Sequence, residues 1–236
     1  MDITQEQLDF FHAQGYLPWG KVLDDEQIDV LRSAYDSAFS DLASKELAGS
    51  GSRMLQILNL GERSLPFHRL RHHEPILEVL RALLGPNLQL FHDQALWKPA
   101  HDGGPVHWHQ DNSYWNLRPA TAISCWLTLD DADADNGTMQ VIPGSHLHPV
   151  RHLPTPDSSA LTDASAGLDV SRAVTVPVVA GACLFHHCHT LHYTAPNRSE
   201  RQRRAFIIHA MGPGTRQNGT PIPVDYHHPI LSLRIG

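Results

Sequence analysis

His109 and Asp111 form a His-x-Asp pair within the run VHWHQDNSYW, residues 106–115. Two neutral imidazoles and one carboxylate, with three coordination positions left open, are the ligand set that suits a non-haem ferrous ion. Residues i and i+2 of an extended strand point to the same face, so this pair could supply two of the three ligands. A second His-x-acid pair occurs at His72-His73-Glu74, so the metal prediction depends on what accompanies the first pair.

The third ligand must come from a distant part of the chain. The segment 181–210 offers four candidate histidines: His186, His187, His189 and His192. The same segment carries a basic cluster just before an apolar run, made up of Arg198, Arg201, Arg203 and Arg204. An oxygenase that uses 2-oxoglutarate needs a cation for the distal carboxylate of that co-substrate, and arginine is preferred because its planar fork binds a carboxylate through two hydrogen bonds.

Four stretches resemble the phytanoyl-CoA dioxygenase family of Fe(II)/2-oxoglutarate-dependent oxygenases. They are WHQDNSYW at 108–115, DNGTMQVIPGSH at 135–146, HYTAPNRS at 192–199 and QRRAF at 202–206. In that family the distal iron histidine opens the third stretch, and the oxoglutarate arginine follows it by eleven residues. The resemblance therefore implies that His109, Asp111 and His192 are metal ligands and catalytic residues, and that Arg203 binds oxoglutarate.

The likeness extends to WKPA at 97–100 and to SCWLTL at 124–129. By the same resemblance, Lys98, Trp126 and Thr194 help to bind oxoglutarate. Tyr193 and Ala195 stand where many relatives carry glycine, so the shape of the pocket near His192 differs from the family pattern.

The resemblance implies an enzyme that uses Fe(II), 2-oxoglutarate and O2. It would hydroxylate an unactivated C–H bond of a small-molecule metabolite and release succinate and CO2. Halogenating relatives lack the carboxylate ligand, so Asp111 points to hydroxylation, or to desaturation or ring closure, rather than chlorination. Two alternatives remain at this point: a cupin-like metalloenzyme, which would be an isomerase or an oxoglutarate-independent dioxygenase, and a non-catalytic jelly-roll binding module.

Several residues have open roles in the sequence. His107 and His189 are the competing metal ligands. Arg204 is the alternative to Arg203 for binding oxoglutarate, and only one of the two can face the pocket because adjacent residues of a strand point in opposite directions. Four residues are candidates for contact with the prime substrate, although the aromatic pair among them fits core packing equally well: Gln94, Asn112, Tyr114 and Trp115.

Composition excludes several other functions. The 236 residues carry a formal net charge of −7, which argues against nucleic-acid binding, since that requires a basic face. No apolar stretch approaches the 18 residues of a membrane span, and the acidic N-terminus does not resemble a secretory signal. Three cysteines without zinc-like spacing favour reduced thiols and a cytoplasmic protein. The oligomeric state leaves no sequence signal.

The order of elements predicts the fold class. Helical patterns dominate residues 1–86, and short strands separated by turn residues follow at about 88–97, 105–109, 121–129, 138–142, 174–179, 182–187 and 204–211. Helices followed by many short antiparallel strands predict a mainly β, double-stranded β-helix (jelly roll, cupin-like) with flanking N-terminal helices. We expect one oxygenase domain over 1–236: helical support at about 1–86, a jelly-roll core at about 88–212 and an irregular tail at 213–236. Residues 152–172, rich in Ser, Asp, Ala and Pro, are predicted to be a long loop near the mouth of the site, either a lid or a disordered insertion.

Overall fold

The computed structural model describes residues 3–46, 55–155, 158–163 and 168–234. Within these residues the α-helices are α1 Gln5–Gln14, α2 Asp25–Glu46, α3 Leu65–Leu70, α4 Glu74–Leu84 and α5 Asn112–Trp115. The strands are β1 Tyr16–Lys21, β2 Leu55–Leu58, β3 Leu88–Lys98, β4 Val106–His109, β5 Leu117–Arg118, β6 Ile123–Thr128, β7 Met139–Val141, β8 Leu153–Thr155, β9 Ser158–Asp163, β10 Val174–Val176, β11 Ala182–His187, β12 His192–Thr194, β13 Arg203–Met211, β14 Arg216–Gln217, β15 Thr220–Pro221 and β16 Ile230–Ser232. Short 3-10 turns occupy Leu60–Glu62, Ser145–Leu147 and Val170–Arg172.

Two antiparallel sheets form the body of the fold. The major sheet has the order β1-β11-β6-β13-β3-β16, and β2 also pairs with β3. The minor sheet has the order β10-β7-β12-β4. Apolar side chains of both sheets share one buried cluster, in which Trp126 and Ile207 of the major sheet meet Met139 and Val141 of the minor sheet. The prediction of a mainly β jelly roll with flanking helices is confirmed.

The helices cover the other face of the major sheet. Residues of α2, α3 and α4 form one hydrophobic cluster with alternate residues of the central strands, including Phe206 and Ile208 of β13. Phe67 of α3 and Phe206 are fully buried and their rings lie 4.7 Å apart. Burial of one such side chain contributes on the order of 1.5–3 kcal/mol, so the helices fix the position of the strand that carries Arg203.

Local sequence signals explain where the helices begin and end. Thr4 and Gln7 form a reciprocal capping box at the start of α1. Helix α4 has Pro75 in its first turn, and it is followed by the capping residue Gly85, whose φ of 105° suits glycine. Its buried residues Ile76, Leu77, Val79 and Leu80 follow the helical repeat of an amphipathic face. In the described residues no helix is long and apolar enough to cross a membrane.

The prediction of an irregular tail at 213–236 is wrong in two places. Strand β14 pairs with β5 and with β15, and strand β16 pairs with β3 at the edge of the major sheet. Leu231 of β16 is buried in the main hydrophobic core, and that burial outweighs the Pro- and His-rich composition of the segment. Strand β1 also joins the major sheet from within the helical support, and Pro18 is tolerated there because β1 is an edge strand.

The prediction of a continuous loop over 152–172 is also wrong in part. Strands β8 and β9 pair with each other as an antiparallel two-stranded sheet, and Val170–Arg172 form a 3-10 turn. The two strands are short and pair only with each other in their sheet. Their sequences therefore lack the alternation of polar and apolar residues by which a strand packed on a core is predicted. Residues 156–157 and 164–167 of this segment lie outside the described residues.

Candidate metal and co-substrate site

His109 and His192 lie side by side on two paired strands of the minor sheet. His109 ends β4, His192 begins β12, and the two residues are direct partners across the antiparallel pair. Their ring centroids are 4.0 Å apart and both residues are buried. Sheet pairing therefore brings together two imidazoles that are far apart in the sequence.

Asp111 completes the cluster from a turn rather than from a strand. Strand β4 ends at His109, and Asp111 already has helical backbone angles (φ −51°, ψ −40°) at the start of α5. The expectation that the His-x-Asp pair shares one face of a strand is therefore wrong. The turn nevertheless places Asp111 Oδ1 3.4 Å from His109 Nε2 and 3.5 Å from His192 Nε2.

One ligand atom from each of these three side chains lies within 4.8 Å of the others. In the described part of the chain, no other group of three His, Cys, Asp or Glu side chains is close enough to share an ion in this way. His189, the competing ligand, is engaged elsewhere, because its Nε2 lies 3.0 Å from the side-chain amide nitrogen of Asn112. His107 meets the cluster through its backbone carbonyl.

Hydrogen bonds to the backbone aim both imidazoles at the shared point. His109 Nδ1 lies 2.7 Å from the carbonyl oxygen of His107, and His192 Nδ1 lies 2.9 Å from that of Thr190. A carbonyl oxygen is only an acceptor, so each Nδ1 donates and each Nε2 keeps a free lone pair. Burial, and then the neighbouring His109, lowers the pKa of His192 well below its usual range, which favours the neutral, metal-binding form.

The second carboxylate oxygen of Asp111 is held from behind. Asp111 Oδ2 lies 3.0 Å from Ser124 Oγ and 3.1 Å from His186 Nε2. Burial alone would raise the pKa of Asp111, but the neighbouring His192 and the hydrogen bonds that the carboxylate accepts hold this pKa well below its usual range. Oδ1 therefore remains available to an ion, and the donor set fits a ferrous ion.

Arg203 lies in the same cavity, and no carboxylate of the described residues forms an ion pair with it. Its side chain is 1% exposed, and its Nε and Nη1 find no hydrogen-bond partner among the described residues. The guanidinium lies over the ring of Trp126, 5.4 Å from the ring centroid. Burial lowers the pKa of Arg203 to about 10, so the group stays protonated near neutral pH. A buried, unpaired guanidinium fits a carboxylate ligand.

Thr194 offers a second free group to such a carboxylate. Its Oγ1 is buried, and no residue of the described chain makes a hydrogen bond with it. Thr194, Trp126 and Arg203 line one cavity of about 340 Å³ together with the three side chains of the metal cluster. This buried hydroxyl and guanidinium therefore fit the distal carboxylate of 2-oxoglutarate.

The expectation for Lys98 is not met. Lys98 Nζ donates to three backbone carbonyls, those of Gly104, Thr194 and Ala195, at 2.5–3.3 Å. Lys98 is buried and is not among the residues that line the cavity. Its ammonium fastens the loop before β4 to the end of β12, so it supports the walls of the site and does not face a ligand.

Of the four candidate substrate residues, three line the cavity: Gln94, Tyr114 and Trp115. Asn112 does not line it. Its Oδ1 accepts a hydrogen bond from the backbone nitrogen of Leu117 at 2.8 Å, and its Nδ2 donates to His189, so this side chain stabilises the turn after α5.

Sequence reasoning missed Ser124 and His209, and it considered His186 only as a candidate metal ligand. Ser124 and His186 bind the carboxylate of Asp111, while His209 lines the cavity beside them. Strand alternation could have identified His209, because residues 203, 205, 207 and 209 of β13 share one face with Arg203.

Comparisons with known proteins identify the family of the chain. Residues 11–205 match the family model described as Phytanoyl-CoA dioxygenase (PhyH). A probable alpha-ketoglutarate-dependent hypophosphite dioxygenase from Stutzerimonas stutzeri is 30% identical, over 57% of this chain and 49% of its own length. The phytanoyl-CoA dioxygenase domain-containing protein 1 of Bos taurus is 32% identical, over 62% of this chain and 53% of its own length. The chain spans about half the length of these curated relatives.

A likeness to a solved structure covers almost the whole chain. The crystal structure of the non-heme alpha ketoglutarate dependent carbocyclase SnoK from nogalamycin biosynthesis has a TM-score of 0.83 and 22% identity, over 97% of this chain and 96% of that chain. At this level of identity the likeness supports the fold alone.

Proposed function

Because the chain belongs to the phytanoyl-CoA dioxygenase family, we propose that it is an Fe(II)- and 2-oxoglutarate-dependent dioxygenase that hydroxylates an unactivated C–H bond of a small molecule. O2 is the co-oxidant, and succinate and CO2 are the other products. The observation that carries this proposal is the unpaired, buried guanidinium of Arg203 in the same cavity as the His109–Asp111–His192 cluster.

In this proposal the chain holds each reactant by a different group. His109 Nε2, His192 Nε2 and Asp111 Oδ1 hold the iron, while Arg203 and Thr194 hold the distal carboxylate of oxoglutarate. When bound, iron and oxoglutarate supply the oxidising chemistry that inserts one oxygen atom of O2 into a C–H bond and the other into succinate. The protein supplies orientation and a dry wall, which consists of Leu96, Val106, Met139 and Ile207.

The two alternative functions leave Arg203 unexplained. A cupin-like isomerase, or a dioxygenase without an oxo-acid, would use the metal cluster but would bury an uncompensated guanidinium. A non-catalytic binding module would require neither the cluster nor the guanidinium. Removing a charge from water costs several kcal/mol in a real protein, so a cavity without an anionic ligand is a poor match for this residue.

We further propose that the chain forms one oxygenase domain and that it acts on a small molecule in the cytoplasm. The helices and the jelly roll share one hydrophobic core, which supports a single oxygenase domain. The three cysteines are buried and unpaired, which supports a reducing compartment such as the cytoplasm. The net charge of −7 supports a small-molecule substrate rather than a nucleic acid.

The test is turnover of oxoglutarate by purified protein supplied with iron(II) and O2. Succinate formation is measured for the wild type, for Asp111→Ala and His192→Ala, and for the control His107→Ala. The control lies on the same strand, its backbone carbonyl accepts a hydrogen bond from His109, and its side chain does not line the cavity. We expect both ligand variants to lose turnover and the control to keep it. Wild-type rates in either ligand variant would refute the assignment.

A further inference from the structure

The cavity continues beyond the co-substrate groups to a second region. Arg203 and His209 lie on the same face of β13, six residues apart, which corresponds to about 20 Å along a strand. His209 has His92 and Trp115 as neighbours, with ring centroids 4.4 and 4.7 Å away. All three rings line the cavity, at the end opposite to Arg203.

This second region contains no fixed charge. Apart from Asp111 and Arg203, no lining side chain in the described residues carries a carboxylate, an ammonium or a guanidinium group. The remaining polar lining groups of the cavity, apart from the metal cluster, His186 and Thr194, are amides, a phenol and imidazoles, supplied by Gln56, Gln94, Tyr114, His92 and His209. Burial lowers the pKa of His92 to about 4, so this imidazole is neutral near pH 7. A charged substrate would find no countercharge once iron and oxoglutarate occupy theirs.

Hydrogen bonding fixes the tautomer of His209. Ser124 Oγ lies 3.0 Å from Asp111 Oδ2 and 2.7 Å from His209 Nδ1. An ionised carboxylate only accepts, so the single hydroxyl proton of Ser124 is donated to Asp111. Ser124 Oγ must then accept from His209, and Nδ1 carries the proton of that neutral ring.

The other nitrogen of His209 is consequently a bare acceptor. Nε2 is buried and has no hydrogen-bond partner in the described chain, and the residue is 2% exposed. Edge-on contact with the ring of Trp115, at an interplanar angle of 71°, helps to hold the imidazole in place. A rigid, desolvated acceptor favours a ligand that brings its own donor.

We propose that His209 Nε2 positions an uncharged prime substrate by accepting a hydrogen bond from its hydroxyl or N–H group. This inference rests on the proposed function, since it takes Asp111 and Arg203 to be occupied by iron and oxoglutarate. The aromatic rings of Trp115 and Tyr114 provide an apolar surface for the body of the substrate. His209 is thus a specificity-determining residue, linked to the metal ligand through Ser124.

The test uses the full chain loaded with zinc(II) in place of iron, together with 2-oxoglutarate, so that no turnover occurs. Four fragments with the same phenyl body are titrated by saturation-transfer NMR: benzyl alcohol, benzyl methyl ether, benzoate and benzylammonium. We expect the alcohol to bind more tightly than the other three. One neutral hydrogen bond corresponds to an affinity difference of about fivefold between alcohol and ether.

Two substitutions separate the proposed contact from mere packing. His209→Asn keeps a donor near the position of Nδ1 for Ser124 but removes the acceptor at Nε2, whereas His209→Gln restores an acceptor near Nε2. We expect His209→Asn to lose about fivefold in affinity for the alcohol and none for the ether. His209→Gln should recover most of the loss.

A measurement on the wild type needs no substitution. Nitrogen chemical shifts of 15N-labelled histidine report which ring nitrogen carries the proton, and we expect Nδ1 of His209 to be protonated and Nε2 to be bare. Protonation at Nε2 would overturn the inference. So would tighter binding of benzoate or benzylammonium than of the alcohol, no detectable binding of the alcohol, or an unchanged affinity for the alcohol in His209→Asn.

The same spectra separate this inference from the proposed function. Signals of 2-oxoglutarate report its own binding to the zinc-loaded protein. If oxoglutarate does not bind, the proposed function fails. The affinity of the wild type and of His209→Asn for the alcohol is then compared in the protein loaded with zinc alone. If oxoglutarate binds and His209→Asn leaves the affinity for the alcohol unchanged, only the substrate inference fails.

Discussion

Arg203 and Arg204 are consecutive residues of β13, and their guanidinium groups have opposite surroundings. Arg204 donates to both carboxylate oxygens of Asp130, at 2.7 and 2.9 Å, and to Asp36 at 2.9 Å. Arg203 faces the cavity, and its Nε and Nη1 meet no acceptor from the described residues. Alternation along the strand explains the difference, since adjacent residues point to opposite faces. One arginine is structural and the other is free for a ligand.

Substitution of these two arginines should therefore have different effects. Arg203→Gln should raise the KM for oxoglutarate by at least about 100-fold, because loss of one partner of a buried charge pair costs about 3–5 kcal/mol. Arg203→Gln should still bind iron, as measured by titrating iron into the metal-free protein. Arg204→Gln is the matched control: it should lower the free energy of unfolding and leave this KM unchanged. The reverse pattern would assign the co-substrate to Arg204.

The hydroxyl of Thr194 should contribute to oxoglutarate binding. Thr194→Val keeps the shape of the side chain and removes Oγ1, so the KM for oxoglutarate should rise by about tenfold, as expected for a hydrogen bond to a charged group. The control is Thr138→Val. In the wild type the hydroxyl of Thr138 donates to the carbonyl of Val176 at 2.6 Å, outside the cavity. That variant should be less stable, with an unchanged KM. Equal KM values for the two variants would remove Thr194 from the site.

Ser124 should tune the metal site through Asp111. Ser124→Ala removes a hydrogen bond to Asp111 Oδ2, and loss of a group that orients a metal ligand typically weakens metal binding by about 10–100-fold. Ser145→Ala serves as a control, because Ser145 Oγ accepts from the backbone nitrogen of Leu191 at 2.8 Å and does not contact Asp111. Iron affinity is measured by competition with a chelator. Equal affinities in the two variants would contradict this role of Ser124.

The free energy of unfolding should fall as the pH is lowered, because His187 is harder to protonate in the folded state than in the unfolded state. Burial, and then the neighbouring His146 and His189, lowers the pKa of this imidazole to about 4, whereas the unfolded chain titrates near 6.5. The unfolded state therefore binds the proton first as the pH falls, so the stabilisation is complete above about 6.5 and is lost as the pH falls toward about 4. Between pH 7 and pH 5 this group should cost about 2 kcal/mol.

Urea unfolding at the two pH values checks this prediction in the metal-free protein. His187→Asn keeps an acceptor where Nδ1 accepts from the backbone nitrogen of His189 at 3.1 Å. We expect the free energy of unfolding of this variant to depend less on pH than that of the wild type, by close to one proton. An unchanged dependence on pH would show that His187 titrates alike in the folded and unfolded states.

The sequence predicted the fold and the centre of the site because both have strong local signals. Hydrophobic period and turn residues predicted most of the strands, and the resemblance to the phytanoyl-CoA dioxygenase family implied that His109, Asp111 and His192 would lie together, as they do. The errors arose where tertiary contacts decide. Lys98 and Asn112 have ligand chemistry, but backbone groups, and His189 in the case of Asn112, form hydrogen bonds with their polar atoms. The partners of His209 lie on other strands and leave no mark in the local sequence.

Diffraction at the iron absorption edge, from crystals grown without O2 but with iron(II) and 2-oxoglutarate, tests the central claim most directly. The account predicts one anomalous peak at about 2.0–2.2 Å from His109 Nε2, Asp111 Oδ1 and His192 Nε2, the usual range for nitrogen and oxygen ligands of a divalent metal. The far carboxylate of oxoglutarate should lie within hydrogen-bonding distance of Arg203. A peak on other side chains, or an ordered oxoglutarate away from Arg203, would contradict it.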